Sequence, residues 1–245
     1  MFPPAPPTSL VVGVCETRRV PSALVTGGSS GIGLAIARAL AEDGYSLTLA
    51  ARKLERLELA AAELGATAIA ADVSIEEDAI RLVAAHAETH GGLDVLVNSA
   101  GVGIAGTVGA TTTKQFDLQH AVNLRGAFIV TREALPMLRV SRGYVVNLAS
   151  IAGTIPTPGL SSYGAAKAAL IALTRSLDRE EVEHGVRATA LCPAFVDTPM
   201  AEWTGLAGEQ MIRPEDCAEL VRALLRLSPS ARVPVVVIER AGEAV

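Results

Sequence analysis

Ser150 ends the apolar run VVNLAS, and Tyr163 and Lys167 follow it four residues apart. A spacing of four is just over one helical turn, so a helix would carry the phenol and the ammonium on one face. These residue types suit hydride transfer to a carbonyl, in which the developing alkoxide needs a proton and nearby donors. Tyrosine can supply that proton. A free phenol titrates near ~10, and an adjacent ammonium favours the phenolate, so Lys167 is expected to lower the pKa of Tyr163. The Ser150 hydroxyl would orient the carbonyl oxygen. Asn123, in the preceding helical stretch, would position a water that replenishes the proton.

Hydride needs a carrier, and the segment TGGSSGIG offers a place for one between an apolar run and a helical stretch. Gly27, Gly31 and Gly33 would permit a tight turn, close approach of a pyrophosphate and close helix packing. Ser29, Ser30 and Ile32 of the same loop are expected to line the cofactor. A carboxylate at the end of the second strand would hold a free ribose 2′-hydroxyl. That stretch reads LTLAARK, with Ala50 and Ala51 where the acid would stand and Arg52 and Lys53 beside them. A 2′-phosphate gains more there than a hydroxyl does, so NADP(H) is expected over NAD(H), with Arg52 as the anchor.

The elements that must position these groups alternate along the chain. Apolar runs predict strands over 23–26, 46–50, 67–71, 95–98, 144–148, 187–192 and 235–238. Helices are expected over 31–43, 53–64, 76–89, 114–138, 162–184 and 214–227. Nearly continuous apolar strands imply burial on both faces, the mark of a parallel sheet covered by helices. The expected fold is therefore a Rossmann-type, doubly wound α/β domain with seven parallel strands, covering 19–245. In such sheets, ligands lie beyond the carboxyl ends of the strands, where the four candidates would converge. The lead segment 1–18 carries prolines at positions 3, 4, 6 and 7 and is expected to be extended and poorly ordered. It has no basic residues before its apolar run and does not read as a signal peptide.

Composition narrows the function further. The 245 residues are 50% hydrophobic and 19% charged, with a net charge of −5, which excludes disorder and argues against a nucleic-acid partner. No apolar run approaches the ~20 residues that span a bilayer, so no membrane association is expected. Cys15, Cys192 and Cys217 are odd in number and lack CxxC spacing, which fits a reducing cytoplasm better than a disulfide framework. No metal site is expected. His86 and His90 lie four apart in HAETH and read as a solvated helix face, and Cys192 reads as a small buried hydrophobe.

With these motifs in order, residues 20–240 resemble the short-chain dehydrogenase/reductase family. Its glycine motif corresponds to 26–33. Its adenine-contacting aspartate looks like Asp72, followed by Val73, and its Asn-Asn-Ala-Gly segment appears as Asn98, Ser99, Ala100 and Gly101. The family's catalytic Asn, Ser, Tyr and Lys fall on Asn123, Ser150, Tyr163 and Lys167, and in the family the lysine also holds the nicotinamide ribose. The stretch CPAFVDTPM resembles the nicotinamide-clasping segment, with Pro193, Val196 and Thr198 in matching places and Ala194 where a glycine is usual. The C-terminus lacks the Asp-Gly-Gly ending common in the family's acyl-carrier-protein reductases.

The expected activity is NADP(H)-dependent interconversion of a hydrophobic ketone or aldehyde and its alcohol. The substrate would be lined by Ile151, Ile155, Leu160, Met200 and Trp203. Alternatives are a 3-oxoacyl-thioester reductase, an NAD-dependent secondary-alcohol dehydrogenase, or a dinucleotide-binding sensor without turnover. The resemblance also implies a homotetramer or homodimer packed through the helices at 114–138 and 162–184.

Overall fold

A computed structural model describes residues 19–242. The expectation for segment 1–18 lies outside the described residues. Seven strands form one sheet in the order β3-β2-β1-β4-β5-β6-β7. They are β1 (Ser22–Thr26), β2 (Ser46–Ala51), β3 (Thr67–Ala70), β4 (Val95–Asn98), β5 (Tyr144–Leu148), β6 (Arg187–Pro193) and β7 (Val235–Ile238). Every pairing is parallel. The winding runs outward from β1 to β3, then returns to β4, so the direction switches between β1 and β4 and leaves a crevice above their carboxyl ends.

The apolar strands divide their side chains between two cores. On β1, Ala23 and Val25 pack on one face with Ile36 and Leu40 of α1 (Gly31–Glu42), Leu57 of α2 (Leu54–Leu64) and Val221 of α7 (Pro214–Arg226). Leu24 points the other way, toward Leu82 of α3 (Glu76–His90) and Ile129 and Leu138 of α5 (Ala127–Ser141). Leu24, Leu40, Leu82 and Leu138 are fully buried, and each such side chain contributes roughly 1.5–3 kcal/mol of transfer free energy.

The stretch expected as one helix over 114–138 is three pieces. It comprises α4 (Thr113–His120), a π-helical turn (Ala121–Gly126) and α5. The extra residue of a π-turn accommodates a side chain that bonds elsewhere. Here Asn123 does so: its Oδ1 accepts from Val102 N–H at 3.0 Å and its Nδ2 donates to the Val102 carbonyl at 2.8 Å. The long helix α6 (Ser161–Glu180) stops four residues before the expected end at 184. Glu181 is drawn aside by Arg139 of α5, which donates to both its carboxylate oxygens, and the chain turns at Gly185 with φ +74°.

Candidate active site

The loop from β1 to α1 closes the crevice floor. Gly27 adopts φ +68°, and a Cβ there would stand 2.8 Å from the Ala100 nitrogen. At Gly33 a Cβ would meet the Gly27 carbonyl oxygen at 2.4 Å. Thr26 Oγ1 accepts from the amides of Ser99 and Ala100, tying the two loops together. Ser30 caps α1 with backbone alone, without a side-chain hydrogen bond or an acidic first turn, so the helix N-terminus keeps donors for an anion. These features fit a dinucleotide: the backbone comes close where a pyrophosphate needs it.

A cleft of about 640 Å³ runs from this loop across the sheet end. Gly27, Ser29, Ser30, Gly31, Ile32, Arg52, Asp72, Val73, Ala100, Gly101 and Thr198 all line it. Gly33 and Asn98 do not. Gly33 packs beneath the loop, and Asn98 is buried in the sheet, donating to Asn147 and Thr131. Asp72 accepts from the Ser74 amide and hydroxyl through one carboxylate oxygen, which fixes the turn after β3.

Arg56 also lines the cleft, with Arg52 and Lys53, and it escaped the sequence reading. Arg52 precedes α2 and Arg56 lies in its first turn, so the available signal was a run of basic residues at the end of β2 and the start of the next helix. All three cations are exposed, and none forms an ion pair among the described residues.

A second cavity of about 290 Å³ adjoins the first, with Ile32, Ser99, Gly101, Gly103, Thr198 and Met200 shared between them. Ser150, Tyr163 and Lys167 line it, as do Ile151, Ile155, Leu160, Pro193, Val196, Met200 and Trp203. Phe195 and Trp203 stand edge to face at its mouth, ring centroids 6.0 Å apart. Among the described residues, Lys167 is the only charged side chain in the lining. Ala194 departs from the family's glycine without strain: its backbone is outside the left-handed region, and its N–H donates to the Ile238 carbonyl at 2.8 Å.

The reactive side chains meet as the spacing implies. Ser150 follows β5 in extended backbone and caps the short turn Ile151–Gly153, its Oγ accepting from the Ala152 amide at 3.2 Å. The Tyr163 side chain lines the same cavity as Ser150. Lys167 is buried one helical turn on, donates to the Leu148 carbonyl at 2.6 Å, and lies 5.6 Å from the Tyr163 ring centroid.

Electrostatics correct one expectation. Burial pushes the Tyr163 phenol above its ordinary value, and the opposing influence is the Ser150 hydroxyl rather than Lys167. Lys167 itself is lowered to about 8, because desolvation penalises its charge. In a dry cavity the burial cost outweighs a neighbouring cation that already bonds a carbonyl. The Asn123 carboxamide bonds both backbone groups of Val102 and so braces the loop, with one Nδ2 hydrogen beyond that pair.

The two histidines are not a solvated face. His86 is fully buried, with Nδ1 2.9 Å from Thr48 Oγ1 and Nε2 3.1 Å from the Gly92 carbonyl oxygen, while His90 Nε2 reaches the same Thr48 hydroxyl at 3.0 Å. Among the described residues no group of three or more His, Cys, Asp or Glu side chains could hold a metal ion. Cys192 and Cys217 are buried free thiols, and no described helix is long and apolar enough to cross a membrane.

Comparison with known proteins agrees with this geometry. Residues 21–206 match the family model described as short chain dehydrogenase. An uncharacterised oxidoreductase of Staphylococcus epidermidis is 37% identical over 202 residues, covering 81% of this chain and 88% of that protein. A 2-(R)-hydroxypropyl-CoM dehydrogenase of Xanthobacter autotrophicus is 41% identical over 193 residues, covering 74% of this chain and 76% of that one. The structure of an alcohol dehydrogenase from the archaeon Thermococcus sibiricus, complexed with 5-hydroxy-NADP, superposes with a TM-score of 0.84 at 33% identity, covering 91% of this chain and 97% of that one. A parallel sheet with a glycine-lined crevice, and a Ser, Tyr and Lys gathered beside it, thus coincide with direct sequence kinship: the chain belongs to the short-chain dehydrogenase family of NAD(P)-dependent oxidoreductases.

Proposed function

We propose that the protein interconverts uncharged hydrophobic ketones or aldehydes and their alcohols with NADP(H), using Tyr163 as the general acid and base. The observation that carries this reading is that Ser150, Tyr163 and Lys167 line one largely apolar cavity that adjoins the nucleotide cleft. The bound nicotinamide supplies or receives the hydride. Ser150 and Tyr163 would both donate to the substrate oxygen and hold it as negative charge develops. A phenol raised by burial is protonated at neutral pH and ready to donate, which suits reduction. Lys167 would hold the nicotinamide ribose, as in the family, and Asn123 would keep the Gly101–Val102 turn in place.

The coenzyme choice rests on three unpaired cations at the cleft end. Arg52, Lys53 and Arg56 would surround a 2′-phosphate where Ala50 and Ala51 leave no acid to hold a free hydroxyl. The NADP analogue bound by the Thermococcus sibiricus relative supports the same choice. The exposed stripe Ala165, Ala168 and Ala172 on α6 would allow close packing against a second copy, giving a homodimer or homotetramer, which light scattering reads directly.

Calorimetric titration with NADPH and NADH, followed by NADPH consumption with an aryl ketone such as acetophenone, tests the reading. NADPH should bind more tightly, and Tyr163→Phe should lower kcat by roughly 10²–10⁴-fold while still binding the coenzyme. Tight binding with no turnover across uncharged ketones and aldehydes would instead favour a sensor.

A further inference from the structure

We infer that Gln119 is a positioning residue for the substrate cavity: its buried side-chain oxygen accepts the Ile104 amide and so sets where Gly103 and Ala105 stand in the cavity wall. This rests on the reading above of that cavity as the substrate site. The segment after β4 alternates as a strand does. Gly101, Gly103 and Ala105 line the cavity, while Val102 and Ile104 give their amides to side chains of the neighbouring helical run. Gln119, in the last turn of α4, accepts from the Ile104 N–H at 2.9 Å, and Asn123, four residues on, holds Val102. At the far end, the Gly106 amide donates to the Gly159 carbonyl at 2.7 Å. Ile104 is therefore the middle of three ties along one short segment.

Gln119 is wholly inaccessible and borders neither cavity, so it acts on a substrate only through Ile104 and its neighbours. An amide N–H can only donate, which turns the carboxamide oxygen toward Ile104. The carboxamide nitrogen is left buried without a partner among the described residues, a cost that an apolar side chain of equal length would avoid. The tie to Ile104 is the one contribution of that polar group that offsets it. The wall it holds stands close to the chemistry. A Cβ at Gly103 would lie 3.8 Å from the Tyr163 ring and from the Met200 sulfur, which is ordinary contact without overlap. A backbone shift of ~1 Å there would change the space open to a substrate beside the phenol.

The test compares Gln119→Met and Gln119→Glu with wild type, using NADPH and acetophenone. Methionine keeps the length and loses the acceptor, and glutamate keeps an oxygen in the same place. The KM for acetophenone should rise about five- to tenfold in Gln119→Met, with kcat and the NADPH Kd within about twofold, and Gln119→Glu should return KM to within about twofold of wild type. Unchanged KM in Gln119→Met overturns the assignment. So does a joint loss of kcat, KM and coenzyme affinity that glutamate fails to restore, which is the behaviour of a space-filling residue. Gly103→Ala tests the wall with Gln119 in place. That glycine has no left-handed φ and has room for a Cβ, so the variant should fold. It should lower kcat/KM for acetophenone at least about threefold more than for acetone. Equal effects on the two ketones overturn the proposal, as does exchange of the wild-type Ile104 amide as fast as surface amides, whether or not the Gln119 variants fold. Failure of the catalytic reading shows elsewhere, as equal NADPH consumption by wild type and Tyr163→Phe.

Discussion

Asn123 and Val102 are joined by a matched pair of hydrogen bonds, the carboxamide of one closing on both backbone groups of the other. A Cβ at Gly101 would sit 3.0 Å from that same Asn123 oxygen, so loop and helix are in close contact. Asn123→Ala strands a half-buried N–H and C=O of Val102, and the loss should be about 1–3 kcal/mol in denaturant unfolding, with reduced kcat. Asn123→Asp keeps the acceptor but loses the donor, so it should fall between the two. A variant as stable as wild type would mean that Val102 finds other partners.

Coenzyme preference should separate by residue. Arg52→Asp puts a carboxylate near the ribose and should shift the ratio of kcat/KM values toward NADH by at least about tenfold, a change of roughly 1.4 kcal/mol. Arg56→Ala should move the same ratio in the same direction by a few-fold, through the loss of one long-range cation. A shift of less than a few-fold in Arg52→Asp would remove Arg52 as the phosphate anchor.

The Lys167 ammonium should weaken the fold that uses it. Its pKa falls from 10.5 to about 8 on burial, so the unfolded chain binds more protons between those values and stability rises with pH across that window. The penalty is full below pH 8, at about 3 kcal/mol, and disappears above about 10.5. Lys167→Met should be inactive yet melt roughly 2–5 °C higher at pH 7, after allowing for the lost bond to Leu148. A melting temperature below that of wild type would show that this bond outweighs desolvation.

His86 gives the same sign in a lower pH window. Burial, with His90 beside it, lowers its pKa from 6.5 to about 4. The neutral imidazole's contribution is complete above pH 6.5 and is lost as pH falls to about 4, a change of about 3 kcal/mol. His86→Gln should flatten the acid limb of stability against pH. An unchanged slope across that window would shift the acid response to other groups.

The strands were legible because burial on both faces leaves runs of Val, Leu and Ala with few alternatives, and each lies within one residue of its expected ends. Tyr163 and Lys167 were legible through rarity and helical spacing. What escaped depends on partners distant in sequence. Nothing in AVNLRG announces a π-turn, since Asn123 departs from the helix only because Val102 is there to receive it. His86 looks polar on a helical wheel, yet Thr48 and the Gly92 carbonyl satisfy it inside.

Trp203, in the turn Pro199–Thr204 and edge-on to Phe195, is the one tryptophan of the chain. Its indole borders the cavity and is 60% exposed. Whatever enters that cavity alters the surroundings of a single fluorophore, so emission intensity and wavelength report occupancy without any label. A reduced nicotinamide in the adjoining cleft would accept excitation energy from the same ring, giving the two ligands separable optical signatures in one sample.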